Sequence, residues 1–283
     1  MRRSQLYVPG NNEKMIRKAS ELDADSVILD LEDSVPPQEK SKARRKVREL
    51  ADSLDWGSKE LCVRINAPSS PEGKRDMVDF GRAERVDAVV TPKAEVDLSF
   101  VAKATGKEII PLIETPKGLL RIEEVIRSEN VTAVSYGVAD FAAAVGGDVK
   151  AYENNQYLKT KVVTTASAYG IDALDRVFFA LKDLKGFEAD AREARALGYA
   201  GKQVIHPEQV KLANIVFSPT REDLEWSRKV ARSYQDSVRI GTGAIRIDDR
   251  LLDAVHYRIA KRTLEKAGEP LDKGSHRRGG SGR

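Results

Sequence analysis

The sequence predicts an α/β fold, a (β/α)8 (TIM) barrel followed by a C-terminal helical extension. Short β-rich apolar runs alternate with longer amphipathic stretches, which is the pattern of βαβ units on a parallel sheet. There are eight such runs in about 215 residues, close to the size of a closed barrel. The first run is followed by Pro9-Gly10-Asn11-Asn12. It lacks the GxGxxG turn that usually announces a doubly wound open sheet, the structural alternative.

The runs, in order, are QLYV (5–8), SVILDL (26–31), LCVRIN (61–66), VDAVVTP (86–92), EIIPLIE (108–114), VTAVSYG (131–137), GIDALD (170–175) and KQVIHP (202–207). Between them, NNEKMIRKASELD sets Met15, Ala19 and Leu22 at helical spacing, and PQEKSKARRKVRELADSL and GFEADAREARALGY are likewise amphipathic. After Pro219 the pattern changes. Segments 220–237 and 249–267 read as two helices joined by the Gly-rich SVRIGTGAIRIDD. The expected organisation is a barrel over 1–219, a helical extension or lid over 220–268, and a disordered tail over 269–283. The tail ends in DKGSHRRGGSGR, which has almost no apolar residues.

Composition narrows the function. Hydrophobic residues make up 41% and charged residues 33% of 283, as in a soluble globular protein. Cys62 is the single cysteine, so an intrachain disulfide is impossible. His206, His256 and His276 lie far from it and from one another, which excludes a zinc finger or a His-rich metal site. No apolar run approaches the roughly 18 residues of a membrane span, and MRRSQLYVPGNN has no signal-peptide core; the expected compartment is the cytoplasm. The net charge of +4 is spread over segments of alternating sign, so solvated helix faces explain it better than a nucleic-acid stripe.

In a parallel barrel the chemistry lies where strands end. Strand two ends in Asp30-Leu31-Glu32-Asp33, strand three in Arg64-Ile65-Asn66 and strand five in Glu114-Thr115-Pro116. Strand six leads into Gly137-Val138-Ala139-Asp140-Phe141, and strand eight ends in His206-Pro207. Glu114 and Asp140 come from consecutive strands about 4.8 Å apart, so their carboxylates can converge on one cation. Carboxylates with waters and an oxygen-rich substrate suit Mg2+. The competing structural reading is a rim salt bridge for Glu114 and a helix cap for Asp140. Arg64 interrupts an apolar strand, where it needs an anion: a substrate carboxylate, a developing oxyanion, or a neighbouring Glu32 or Asp33. Three acids within Asp30–Asp33 require cations close by, and Lys40 and Arg44 follow on the next helix. Asp30 reads as part of a structural network, Glu32 and Asp33 as site residues.

The blocks LYVPGNNEKMIRKA, VILDLEDSVPPQEKSKAR, VRIN, IIPLIETPKGL, YGVADFAAAVGGD and GKQVIHPEQVKLANIVFSPT resemble, in that order, the citrate lyase beta-subunit (CitE-like) proteins. These belong to the wider HpcH/HpaI aldolase family, which includes malyl-CoA and citramalyl-CoA lyases. The resemblance covers about residues 4–220 and implies a barrel with Mg2+ at its C-terminal face. Metal ligands fall on Glu114 and Asp140, and substrate binding on Arg64. In that family the PGNNEK and DLEDSV blocks line the thioester side, so the resemblance makes Lys14 a candidate for a CoA phosphate. The related lyases carry a late aspartate in MIDxPxxKxA, delivered from a neighbouring subunit. Asp248 occupies that position here, although Arg250 and Asp253 replace the proline and lysine. An N-cap for the last helix, shared with Asp249, is the alternative role.

The resemblance thus implies reversible cleavage of a 3-hydroxyacyl-CoA into an acyl-CoA and a 2-keto acid. Arg64 would stabilise negative charge, Asp248 would carry the proton, and the chain would form trimers or dimers of trimers. A citrate lyase beta subunit acting on a citryl-acyl carrier protein is the alternative. A class II aldolase is disfavoured because DLEDSV lacks that branch's histidine.

Overall fold

The computed structural model describes residues 1–269. They divide into two compact units, Met1–Phe217 and the residues from Ser218 onward. The tail expected over 269–283 lies, apart from Glu269, outside the described residues. Glu269 itself is tied to Arg228 at 2.7 Å.

The first unit is a closed barrel of eight parallel strands in chain order, the eighth pairing with the first. The strands are β1 (Ser4–Pro9), β2 (Ser26–Asp30), β3 (Glu60–Arg64), β4 (Ala88–Thr91), β5 (Glu108–Ile113), β6 (Ala133–Tyr136), β7 (Asp172–Asp175) and β8 (Gly201–Val204). Each falls on one of the eight expected runs. Its helices are α1 (Glu13–Glu21), α2 (Lys40–Ser53), α3 (Pro71–Gly81), α4 (Ser99–Thr105), α5 (Pro116–Leu120), α6 (Ile122–Ile126), α7 (Val138–Val145), α8 (Val149–Glu153), α9 (Gln156–Tyr169), α10 (Leu184–Leu197) and α11 (Pro207–Phe217).

Two cores follow from strand alternation. Val27 and Leu29 of β2 point outward and pack with Val47, Leu50 and Phe80 of the helical layer. Ile28 points inward and packs with Cys62, Val90, Ile110 and Leu174. Burial there pushes the Cys62 thiol well above its usual range. The N-terminal face is closed by Arg2, which reaches Glu60 at 2.7 Å and Glu108 at 2.8 Å.

On α1 the buried face is Ile16 and Ala19. Met15, at helical spacing with Ala19, is 44% exposed and lines the cavity at the barrel mouth. The helix starts at Asn12, whose side chain accepts from the Met15 N–H at 3.1 Å. Gly10 lets this turn lie against β2, because a Cβ there would come within 2.6 Å of the Asp30 carbonyl oxygen.

The second unit contains α12 (Arg221–Arg239), β9 (Ala244–Ile247), β10 (Arg250–Asp253) and α13 (Ala254–Lys266). The expected linker is therefore a β-hairpin, and the last helix starts at 254 rather than 249. The hairpin turns on Asp248 and Asp249, at φ 45° and 52°. Two successive left-handed residues form the turn that matches strand twist, and Asp tolerates that conformation. The N-cap of α13 is Asp253, whose side chain accepts from the Val255 N–H, so Asp248 and Asp249 do not cap it. Val230, Ile247, Leu252 and Ala260 form this unit's own core.

Candidate active site at the barrel mouth

Parallel register sets the first pair. Asp30 and Arg64 are register partners at the ends of β2 and β3, so their side chains meet in one layer. Arg64 Nε donates to Asp30 Oδ1 at 2.6 Å and Nη2 to Oδ2 at 2.7 Å, a two-pronged pair that fixes the guanidinium plane. Burial alone would raise the Asp30 pKa, but the bonds from Arg64 hold it below the usual carboxylate range. The Arg64 guanidinium also lies 5.1 Å from the centre of the Tyr7 ring.

Glu32 is 6% exposed and faces the same guanidinium, with Oε2 2.9 Å from Nη1. That contact is an ion pair without hydrogen-bond alignment, since Oε2 gains no hydrogen-bond donor. Its other oxygen accepts from Lys93 Nζ at 2.9 Å. The cations paired directly with the carboxylates of this loop are Arg64 and Lys93, while Lys40, as expected, stands close enough to feel the charges of Asp30, Glu32 and Asp33. Lys40 instead donates to the Leu31 and Glu32 carbonyls at 2.8 and 2.7 Å, and Arg44 reaches Asp76 and Glu72. Both start on the outer helix α2, so their chains meet backbone and neighbouring helices first. Asp33 is exposed at the cavity rim.

Glu114 is 2% exposed at the end of β5. Its Oε1 accepts from the backbone N–H of Lys93 at 2.8 Å, and it joins none of the ion pairs among the described residues. Gly137 makes room for it: a Cβ there would lie 2.7 Å from Glu114 Oε2. Burial, then the nearby charges of Glu32 and Asp140, push the Glu114 carboxyl up to about 8. Asp140 is the third residue of α7 rather than its N-cap, and no side chain caps that helix. Its Oδ1 lies 3.8 Å from Lys93 Nζ.

Asp30, Asp33, Arg64, Glu114 and Asp140 line a cavity of about 400 Å3 with apolar walls that include Met15, Val138 and Phe179; Glu32 and Lys93 stand behind this lining. Lys14 lies elsewhere, exposed on the α1 surface beside Arg17 and Lys18. Asp248 belongs to the second unit, where it pairs with Lys229 at 2.7 Å. His206 Nδ1 accepts from the Glu208 N–H at 3.2 Å, as a hydrogen-bonded rim histidine does.

Lys93 is the participant that sequence reasoning passed over. Its signal was a charged residue directly after the VVTP strand end, in the same position as the acids considered on other strands.

The donor set is hard oxygen, and the carboxylates outnumber the cations, so the residues fit a divalent cation such as Mg2+. Among the described residues no group of three or more His, Cys, Asp or Glu is placed to hold a metal. Glu114 and Asp140 would hold the ion together with non-protein oxygens.

The HpcH/HpaI aldolase/citrate lyase family matches residues 3–207. The chain is 34% identical over 276 residues to a mitochondrial citramalyl-CoA lyase of Mus musculus, covering 89% of this chain and 82% of that one. It is 32% identical over 272 residues to a (3S)-malyl-CoA thioesterase of Cereibacter sphaeroides, with 94% of each chain covered. Among solved structures, it resembles CitE from Mycobacterium tuberculosis in complex with magnesium, acetoacetate and coenzyme A. That match has a TM-score of 0.78 and 27% identity, and covers 94% of this chain and 98% of that chain.

Proposed function

This chain belongs to the HpcH/HpaI aldolase/citrate lyase family, and we propose that it is a Mg2+-dependent carbon–carbon lyase. It cleaves, or in reverse forms, a 3-hydroxyacyl-CoA such as malyl-CoA, citramalyl-CoA or citryl-CoA, giving an acyl-CoA and a 2-keto acid. The observation that carries this reading is the meeting of Glu114 and Asp140 with Arg64 in one cavity. The mouse relative, named a citramalyl-CoA lyase, and the CitE complex with magnesium and coenzyme A support it.

Bound Mg2+ would supply Lewis-acid activation and orientation of the keto-acid half. Glu114 and Asp140 would hold it. Arg64, locked by Asp30, would offer its remaining Nη N–H groups to the keto-acid oxygen, whose hydroxyl proton leaves to solvent and which, once negative, becomes the carbonyl oxygen as the carbon–carbon bond breaks. The fixed guanidinium needs no reorganisation at that moment. Glu32 and Asp33 would line the substrate side, and the exposed Lys14 is available to a CoA phosphate. The acyl-CoA leaves as an enolate that needs a proton. In this reading Asp248, from the C-terminal unit of a neighbouring copy in a trimer or hexamer, supplies it. Closure of that unit would exclude water. A cytoplasmic setting is part of the proposal; no helix among the described residues is long and apolar enough to cross a membrane.

The test is cleavage of malyl-, citramalyl- and citryl-CoA with Mg2+ and with EDTA, following keto acid and free thiol separately. Keto acid released only with Mg2+ supports the lyase. Free thiol without keto acid would mean thioester hydrolysis, as the name of the Cereibacter relative implies. Folded, Mg2+-binding protein that leaves all three intact would favour a citryl-acyl carrier protein subunit.

A further inference from the structure

One residue touches every acid of the proposed cation site. Lys93 sits at φ 47°, a left-handed conformation that costs a residue with a side chain free energy. This conformation sends its backbone N–H to Glu114 Oε1 at 2.8 Å and its ammonium to Glu32 Oε1 at 2.9 Å. The ammonium also stands 3.8 Å from Asp140 Oδ1. The other oxygen of Glu32 faces Arg64 Nη1 at 2.9 Å, an ion pair without hydrogen-bond alignment.

We propose that Lys93 is a positioning residue that engages Glu32 and thereby keeps this carboxylate out of the coordination shell of the cation held by Glu114 and Asp140. The proposal rests on the reading of Glu114 and Asp140 as cation ligands. A hard cation beside three carboxylates takes all that can reach it. A third protein ligand would occupy a position that the oxygens of the keto acid need. With Lys93 in place, two protein oxygens bind and the remaining positions stay with exchangeable water.

The experiment is a Mn2+ titration without substrate, read by EPR for affinity and by water proton relaxation for the number of bound waters. Lys93→Met should bind Mn2+ on the order of tenfold more tightly, with fewer waters on the ion. Lys93→Arg should retain the parent affinity and water number. In the Glu32→Gln/Lys93→Met double variant the gain should disappear and the waters return. Unchanged or weaker binding in Lys93→Met, or a gain that persists without Glu32, overturns the proposal. Should Lys93→Met fail to fold by circular dichroism, Glu32→Gln alone decides. Its water number should equal the parent's, and a rise would mean that Glu32 is already a ligand. Glu114→Gln and Asp140→Asn test the premise separately. If they still bind Mn2+ as the parent does, or the parent binds none, the proposal falls with its premise whatever Lys93 does.

Discussion

Between β7, β8 and α10, Asp175 and Asp190 meet Lys202, Arg176 and Lys159. At the mouth of β2 to β6, by contrast, the ion pairs of Asp30, Glu32 and Asp140 among the described residues are with Arg64 and Lys93, and Glu114 has none. Lys202 is fully buried, 2.6 Å from Asp190 and paired closely with Asp175, which also accepts from Tyr136 at 2.7 Å. Burial would raise the Asp190 pKa, but Lys202 and Arg176 keep it low. With Glu193, which pairs with Lys159 at 3.2 Å, the first cluster has three acids to three cations, and all but Glu193 are buried. The second has an excess of negative charge and opens on a cavity. Buried charge alone therefore does not mark a site. What marks it is charge left uncompensated where a ligand can enter.

The largest expected effect comes from removing the excess. Glu114→Gln or Asp140→Asn should lower Mg2+-dependent turnover by roughly 10^3-fold or more, since both orientation and Lewis-acid activation go. Steady-state rates across a Mg2+ series would check this. Next, Arg64→Met should cut kcat by about 10^2–10^3-fold with a smaller change in KM, because charge stabilisation is realised mainly in the transition state.

The balanced cluster should respond in stability instead. Lys202→Met leaves Asp175 and Asp190 buried without their main cation and should cost roughly 3–5 kcal/mol, measured by urea unfolding. Below its unfolding transition the variant should bind Mn2+ as the parent does. Weakened cation binding there would erase the distinction between the two clusters.

Acidity separates them more finely. Burial and the charges of Glu32 and Asp140 push the Glu114 carboxyl up to about 8, well above its ordinary value of 4.5, and with the cation removed by EDTA this shift is expected to govern its protonation. The native state therefore holds this proton more tightly than the unfolded chain. Its contribution to stability is full below about 4.5 and is lost as pH rises through about 8. Thermal unfolding in EDTA between pH 6 and 9 should show that loss, and Glu114→Gln should remove it.

The smallest effect on stability is expected at Asp248. Its pair with Lys229 is exposed on both sides, so Asp248→Asn should change stability by less than about 1 kcal/mol. Asn tolerates the left-handed turn where Ala would strain it. If Asp248 supplies the proton, the same variant should lose about 10^2-fold or more in turnover. Unchanged turnover would leave the hairpin without a role in proton transfer.

Much of this was legible along the chain. Strand runs, their order and the acids at their ends are local features, and the barrel follows from their alternation. The convergence of Arg64, Glu114 and Asp140 needed only strand order and register. What escaped depends on contacts between distant segments. Lys93 looks like a loop lysine until Glu32 and Glu114 are brought beside it. Lys202 was absorbed into an apolar run, although a lysine inside a core strand signals a buried partner. The hairpin in the second unit was hidden because its strands, AIRI and RLLD, are short and carry arginines. Its turn is Asp-Asp rather than the usual Asn-Gly.

The uncompensated cluster is proposed to be a cation-dependent catalytic centre. Anomalous diffraction from crystals soaked with Mn2+ and pyruvate tests it most directly. One strong peak is expected within bonding distance of Glu114 and Asp140 oxygens, with pyruvate beside Arg64. Crystals that show no peak there, or Mn2+ bound without either carboxylate, would contradict it.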